Sequence, residues 1–332
     1  MVASVAQIIP FPVARSEENT KAIAQSAQEV AVGGGASVTI LEEERHLFEG
    51  DDRALELGFL AGGALTEKEL VHGLDHQDEA ICRRVVAMLA MLSSSDAFSA
   101  AQSGVIGRVL FERLFCPEVA PVRRKLYAEV LSMGYGEPWV GVKLCVRLRF
   151  GDPWERELAA VALGNPGNVD AIPALVAALE SDDEAGVKQA AAQSLGALHD
   201  SRVVPILVRA LRRKPTRALR LELLRALRSF RDLQSAWIFL SHLQVPDIEV
   251  QRVSLGAFVH MPCREGYEVA LDFLRHADHS LRIIALRIIE RSGAKRDCAR
   301  IKLLLNDPEH RVRQVAQGAL ETLSLRTFQV FQ

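Results

Sequence analysis

An apolar helical pattern recurs along this chain at nearly constant spacing. Eight segments carry it, and their anchor positions are separated by 41, 33, 32, 32, 31, 31 and 31 residues. These anchors are Ile81, Val122, Glu155, Val187, Leu219, Val250, Leu281 and Val312, of which only Glu155 is not apolar. A period of about 20–50 residues is typical of stacked repeats that bury their apolar faces against each other. The spacing therefore predicts an all-α fold, an α-solenoid of about seven to eight helical hairpins.

Each repeat also has an internal pattern. Counted from the last five anchors, apolar or small residues stand at offsets 0, +4, +8 and +11, which form one face of an α-helix. A second helical segment follows each short polar link, at Ala171–Leu179, Val203–Leu211, Leu233–Leu243, Tyr267–Leu274 and Cys298–Leu305. Each repeat is therefore predicted to be a pair of antiparallel helices.

Charged residues stand at fixed offsets from the anchors. Six repeats have an acid at −3: Asp78, Asp152, Glu184, Asp247, Asp278 and Glu309. Six have a base at +1: Arg123, Arg156, Lys188, Arg220, Arg282 and Arg313. An acid at a helix start caps free amides and faces the positive end of the helix dipole. We expect the base to reach the acid of the neighbouring repeat, which would make a ladder along the array.

The hairpin length of about 31 residues, the acid and base offsets and the small residues of the first helix resemble HEAT repeats. The short repeats of bilin lyases are the most similar variety. The resemblance covers about residues 65–323 and is clearest over 152–323. It implies a preformed protein surface, and it leaves open a bilin-lyase-like or chaperone role, because one fold serves many functions.

Three regions are predicted. Residues 1–40 form a mobile tail with a Gly33–Gly35 hinge, residues 41–323 form the solenoid, and residues 324–332 form an apolar tail. The Ile8–Val13 segment is either part of a plain tail or a docking peptide in polyproline II form. The C-terminal tail either covers the last repeat or docks onto another chain.

Composition restricts the function further. The balance of 40 basic and 42 acidic residues argues against a general polyanion binder. Five widely spaced cysteines without a CxxC pair predict reduced thiols and a cytoplasmic location. We expect no membrane span, since the longest weakly charged stretch, 85–107, is interrupted by polar residues.

Motifs for catalysis are missing from the sequence. It contains no phosphate-binding glycine loop, no GxSxG and no HExxH. His72 and His76, and the trio of Asp272, His276 and His279, have spacings that suit a metal, but such residues near helix ends are usually surface or capping groups. We therefore predict no catalytic residue, no metal and no cofactor. The one enzymatic alternative left open is a bilin-lyase-like activity presenting a tetrapyrrole.

The strongest charge asymmetry lies between Arg209 and Arg231, where nine cations accompany the single acid Glu222. Thr216 replaces the acid at −3 in this repeat. The predicted partner-binding residues are Arg209, Arg212, Arg213, Arg217, Arg220, Arg225, Arg228 and Trp237; Lys214 and Arg231 complete the set of cations. Trp237 is either a core residue or an anchor lining a groove.

These features predict a non-enzymatic adaptor or scaffold that binds a protein partner with an acidic surface segment. Nucleic acid is the third choice, after the lyase or chaperone role, because its binding usually needs a continuous track of phosphate contacts. Here the cations lie between the acidic stretch 180–184 and the apolar stretch 236–240, and mixed surfaces of this kind suit a protein. The oligomeric state is not predicted.

Overall fold

The computed structural model describes residues 100–134, 138–165 and 168–325, together with scattered positions between 71 and 89. The predicted N-terminal tail, residues 326–332 of the predicted C-terminal tail, the Ile81 anchor and Asp78 lie outside these residues. The described part contains fourteen α-helices: α1 (Ala100–Leu114), α2 (Pro121–Leu131), α3 (Pro138–Phe150), α4 (Pro153–Ala162), α5 (Ile172–Ser181), α6 (Ala185–Ala197), α7 (Val204–Arg212), α8 (Arg217–Ser229), α9 (Ala236–Leu243), α10 (Ile248–Ala257), α11 (Arg264–Phe273), α12 (His279–Ser292), α13 (Cys298–Lys302) and α14 (His310–Ser324).

Short 3₁₀ turns join several of these helices, at Val169–Ala171, Ser201–Val203, Leu233–Ser235, Lys295–Asp297 and Leu303–Asn306. The predicted hairpins and the all-α fold are thereby confirmed. α11 begins at Arg264, three residues before the predicted start. α9 begins three residues after its predicted start and α13 ends three residues before its predicted end, because 3₁₀ turns occupy those residues. None of the described helices combines the length and apolar character that a membrane span needs.

The chain divides into two compact units, Met1–Ala174 and Leu175–Gln332. In the described part of the first unit, α1 packs on α2 and α3, and α4 packs on both α2 and α3. The predicted anchor Val122 does not belong to this core, because its side chain is 59% exposed. That assignment was wrong: α2 turns Leu126 and Val130, at +4 and +8, into the core instead.

The second unit has the regular arrangement of a solenoid. The first helices α6, α8, α10, α12 and α14 pack in succession, and each second helix packs against the next first helix in the chain. Four of the five anchors in this unit are buried, namely Val187, Val250, Leu281 and Val312. The contact between α6 and α8 is especially close, since a Cβ on Gly196 would lie 2.6 Å from the Cα of Ala226.

In the described repeats the acids at −3 cap the starts of helices, as predicted, but only where the acid is an aspartate. Asp152, Asp247 and Asp278 each accept hydrogen bonds from amides of the first turn. Glu184 and Glu309 occupy the same position without a side-chain cap. In those two repeats the aspartate two residues earlier accepts from the glutamate amide, with an N–O distance of 2.9 Å at Asp182 and 3.0 Å at Asp307.

The bases at +1 bind backbone carbonyls, a role not predicted from the sequence. Three of them donate to backbone carbonyls five or six residues earlier, which fixes the loop entering their own helix: Arg156 to Gly151, Arg282 to His276 and Ala277, and Arg313 to Asp307 and Pro308. Arg282 also reaches the next repeat, where its Nη2 lies 2.7 Å from Asp307 Oδ1. The predicted contact between repeats is confirmed there, but with the acid at −5 instead of −3.

Candidate partner-binding surface

The basic segment, residues 209–231, covers the end of α7, a short link and all of α8. Thr216 begins α8 by accepting a hydrogen bond from the amide of Leu219 at 3.4 Å. Lys214 adopts the left-handed conformation, with φ at 54°, which a lysine adopts only where a tight turn requires it. The turn leaves Arg212, Arg213 and Lys214 exposed at one edge of the second unit.

Three of the predicted binding residues are ion-paired. Arg209 contacts Glu180 at 2.6 Å, Arg217 holds Asp247 by two bonds of 2.5 and 3.0 Å, and Arg225 lies between Glu222 and Glu249 at 2.5 and 3.6 Å. The hydrogen bond between Arg217 and Asp247 raises the pKa of the guanidinium and lowers the pKa of the carboxyl. These arginines therefore connect neighbouring elements of the array.

The other cations have no acidic partner among the described residues: Arg212, Arg213, Lys214, Arg220, Arg228 and Arg231. They do not form one continuous surface. Along the axis of α8, Arg217 and Arg228 are about 16 Å apart, because the helix rises about 1.5 Å per residue. The structure thus separates two groups of these cations. Arg212, Arg213, Lys214 and Arg220 lie before or near the start of α8, and Arg228 and Arg231 lie at its other end.

Arg212 and Trp237 come together across the second helices of two repeats. The guanidinium carbon lies 5.4 Å from the centroid of the indole ring, within the range of a cation–π contact. Trp237 is 50% exposed, whereas its neighbours Ile238 and Phe239 are buried. Trp237 is therefore outside the core, and the indole is available as an anchor. Leu233, four residues earlier in the 3₁₀ turn before α9, is 55% exposed.

We call Arg212, Arg213, Lys214, Leu233 and Trp237 the junction surface. It combines exposed cations with an exposed aromatic side chain, the residue types that dominate binding energy at protein interfaces. The sequence predicts binding by Arg212, Arg213 and Trp237 and includes Lys214 among the cations, but it does not single out Leu233 for binding. The position of Leu233 four residues before Trp237, within the predicted helix Leu233–Leu243, was the available signal. The structure places Leu233 in the 3₁₀ turn before α9.

No group of three potential metal ligands exists among the residues that the structure describes. Of the predicted metal-spaced residues, His276 accepts a hydrogen bond from the amide of Asp278 at 3.0 Å and stacks on Phe273. Its role is to order the turn before α12. All five cysteines carry free thiols.

Residues 142–228, which extend from α3 to α8, match the family model described as HEAT repeats. This segment is therefore similar to HEAT repeats. The same packing of helical hairpins continues to α14. No curated protein matches the chain.

Several solved structures match the chain at low sequence identity. A chain from the structure of Kap95p bound to RanGDP has a TM-score of 0.53 and 14% identity, over 78% of this chain and 41% of that one. A chain from the CpcE–CpcF complex of phycocyanin lyase from Nostoc sp. has a TM-score of 0.42 and 17% identity, over 78% and 95%. An engineered protein has a TM-score of 0.41 and 18% identity, over 97% and 98%. The likeness to the first supports a helical solenoid.

Proposed function

We propose that this protein is a non-enzymatic scaffold that binds an acidic segment of a protein partner at the junction surface. The observation that carries the proposal is the exposed indole of Trp237 beneath Arg212, beside cations without acidic partners among the described residues. We place this function in the cytoplasm, where the five free thiols would stay reduced.

The chemistry of the surface indicates what the partner offers. Arg213 and Lys214 would pair with carboxylates, and the Arg fork binds a carboxylate through two hydrogen bonds. An apolar side chain of the partner would pack on Trp237 and Leu233. Because packing between repeats fixes these positions before binding, association costs little ordering of the surface.

A pair of matched variants tests the proposal. The first, Arg212→Gln with Arg213→Gln, removes two unpaired cations, and Trp237→Ala removes the aromatic anchor separately. The control, Arg202→Gln with Arg264→Gln, removes the same charge from two exposed arginines elsewhere in the unit. The partner is captured from nuclease-treated source lysate by the wild type, identified by mass spectrometry and purified for measurement of Kd.

We expect the double variant and Trp237→Ala each to weaken binding about tenfold or more, as for the loss of an interface hot spot. The control should bind like the wild type, and circular dichroism should show the same helix content in all four proteins. Equal affinity of the double variant and the control would remove the junction surface from the proposal. A partner that is captured from untreated lysate but not from nuclease-treated lysate would favour nucleic acid instead.

A further inference from the structure

A second basic cluster lies where α8, α10 and α12 end. Arg228 and Arg231 come from the end of α8, His260 follows α10, and Arg291 lies in the last turn of α12. All four side chains are exposed. Three successive repeats thus contribute basic residue types to this cluster, at the opposite end of α8 from the junction surface.

Contacts join Arg291 to the segment after α10, and Arg228 lies beside α10. Arg291 Nη1 donates to the carbonyl of Val259 at 3.0 Å and lies 3.2 Å from His260 Nδ1. Arg228 reaches across to α10, since a Cβ on Gly256 would lie 3.4 Å from its Nη1. Arg231 stands in a left-handed turn, with φ at 52°.

The charges that act on His260 are all positive. Burial lowers the pKa of the imidazole, and Arg231, Arg291 and Arg228 lower it further. Of the acids next to these arginines in the chain, Asp232 accepts from the amide of Gln234 and the hydroxyl of Ser235, and Glu290 accepts from the hydroxyl of Thr322. Cations at helix ends are favoured by the helix dipole, but that preference does not require three guanidinium groups around one histidine.

We propose that Arg228, Arg231, His260 and Arg291 form a binding site for a phosphate dianion. A phosphate group offers a double charge and three strong acceptor oxygens, and the guanidinium fork matches two of them at a time. A single carboxylate would satisfy only one such fork. This proposal is independent of the protein-binding role of the junction surface, because the two sets of residues do not overlap.

The site would take either a free phosphate compound or a phosphorylated side chain. Two probes distinguish these sources, inorganic phosphate and a phosphoserine peptide, each titrated at pH 7.5 into the full-length protein. His260 provides the readout by NMR: a bound dianion favours the imidazolium, so the pKa of His260 should rise as the site fills. Sodium chloride at matched ionic strength controls for screening.

Arg231→Gln with Arg291→Gln should weaken phosphate binding at least tenfold and leave the pKa of His260 insensitive to phosphate. Arg202→Gln with Arg264→Gln is again the control and should bind like the wild type. If the first pair reduces helix content, Arg228→Gln replaces it, since this exposed side chain has no acidic partner among the described residues.

Saturation by inorganic phosphate as tight as by the peptide would support the site and indicate a free phosphate compound. Much tighter binding of the phosphoserine peptide than of both inorganic phosphate and the unphosphorylated peptide would support it and indicate a modified protein. The proposal would be overturned if neither probe moved the His260 resonance beyond the chloride control, or if the Arg231 and Arg291 variant responded like the wild type.

Discussion

Two arginines occupy the same position in different repeats and have different surroundings. Arg282 in α12 is 8% exposed, donates to the carbonyls of His276 and Ala277, and pairs with Asp307 at 2.7 Å. Arg220 in α8 is half-buried and has no hydrogen bond or ion pair from its side chain within the described part of the chain. The repeat position alone therefore does not decide whether such an arginine belongs to the scaffold or is available to a partner.

The residue five positions before the next anchor explains the difference. Asp307 occupies this position after Arg282, and Val245 occupies it after Arg220; each precedes a proline, Pro308 or Pro246. One side chain in an otherwise similar link thus decides whether the preceding arginine is neutralised. Arg220 keeps an unpaired charge among the described residues because the next repeat has Val245 at this position, although its Asp247 and Glu249 pair with Arg217 and Arg225.

Breaking the buried ion pair between Arg282 and Asp307 should reduce the free energy of unfolding more than any other change proposed below. Asp307→Asn keeps an oxygen that can accept from the amide of Glu309, but it leaves the Arg282 charge buried without its counterion. Removing one partner of a buried ion pair costs about 3–5 kcal/mol. We expect the free energy of unfolding in urea to fall by about 3 kcal/mol. A change below about 1 kcal/mol would show that the backbone carbonyls alone stabilise Arg282.

Low pH should abolish the difference in unfolding free energy between the wild type and Asp307→Asn. Burial opposes ionisation of Asp307, but hydrogen bonds from Arg282 and the amide of Glu309 and the charges of Arg282 and Arg313 lower the pKa of its carboxyl. A lowered pKa in the folded state stabilises the protein above the unfolded value of about 3.9, and this contribution is lost as pH falls through the folded value. The wild type should therefore approach Asp307→Asn in stability as pH falls below about 4.

Urea unfolding of both proteins between pH 7 and pH 3 measures this convergence. Asp247 and Asp278 also have lowered pKa values, but they are present in both proteins and their contributions cancel in the difference. A difference that stays constant down to pH 3 would contradict the assignment of the effect to Asp307.

The period predicted the hairpins well, because burial of an apolar face at every repeat imposes the spacing directly. It was wrong at Val122, where spacing selected a residue that the orientation of α2 leaves exposed. The period did not decide whether Trp237 is buried or exposed. Residues 236–240 are apolar throughout, so periodicity does not separate the two faces of α9. The period did not predict the ion pair between Arg217 and Asp247, because the pair depends on which side chains meet between neighbouring repeats. Their separation of 30 residues, close to one period, was a signal that they could meet.

Supplying the missing acid is the converse test. Val245→Asp places a carboxylate before Pro246, in the same order as Asp307 and Pro308. We expect it to pair with Arg220 and to give a coupling of about 0.5–1 kcal/mol, typical of a partly exposed pair. A double-mutant cycle with Arg220→Gln isolates this coupling from the loss of the valine side chain. Zero coupling would mean that the two links differ in backbone geometry as well as in one residue.

The smallest effect is expected at Arg217, which holds Asp247 on the surface. Its guanidinium is largely exposed, so water solvates the charge once the pair is lost, and Asp247 still caps α10 through the amides of Glu249 and Val250. Arg217→Gln should therefore leave the urea midpoint nearly unchanged, and any loss should shrink in high salt as screening increases. A loss as large as that of Asp307→Asn would mean that charge pairing between repeats stabilises the array whether the pair is buried or exposed.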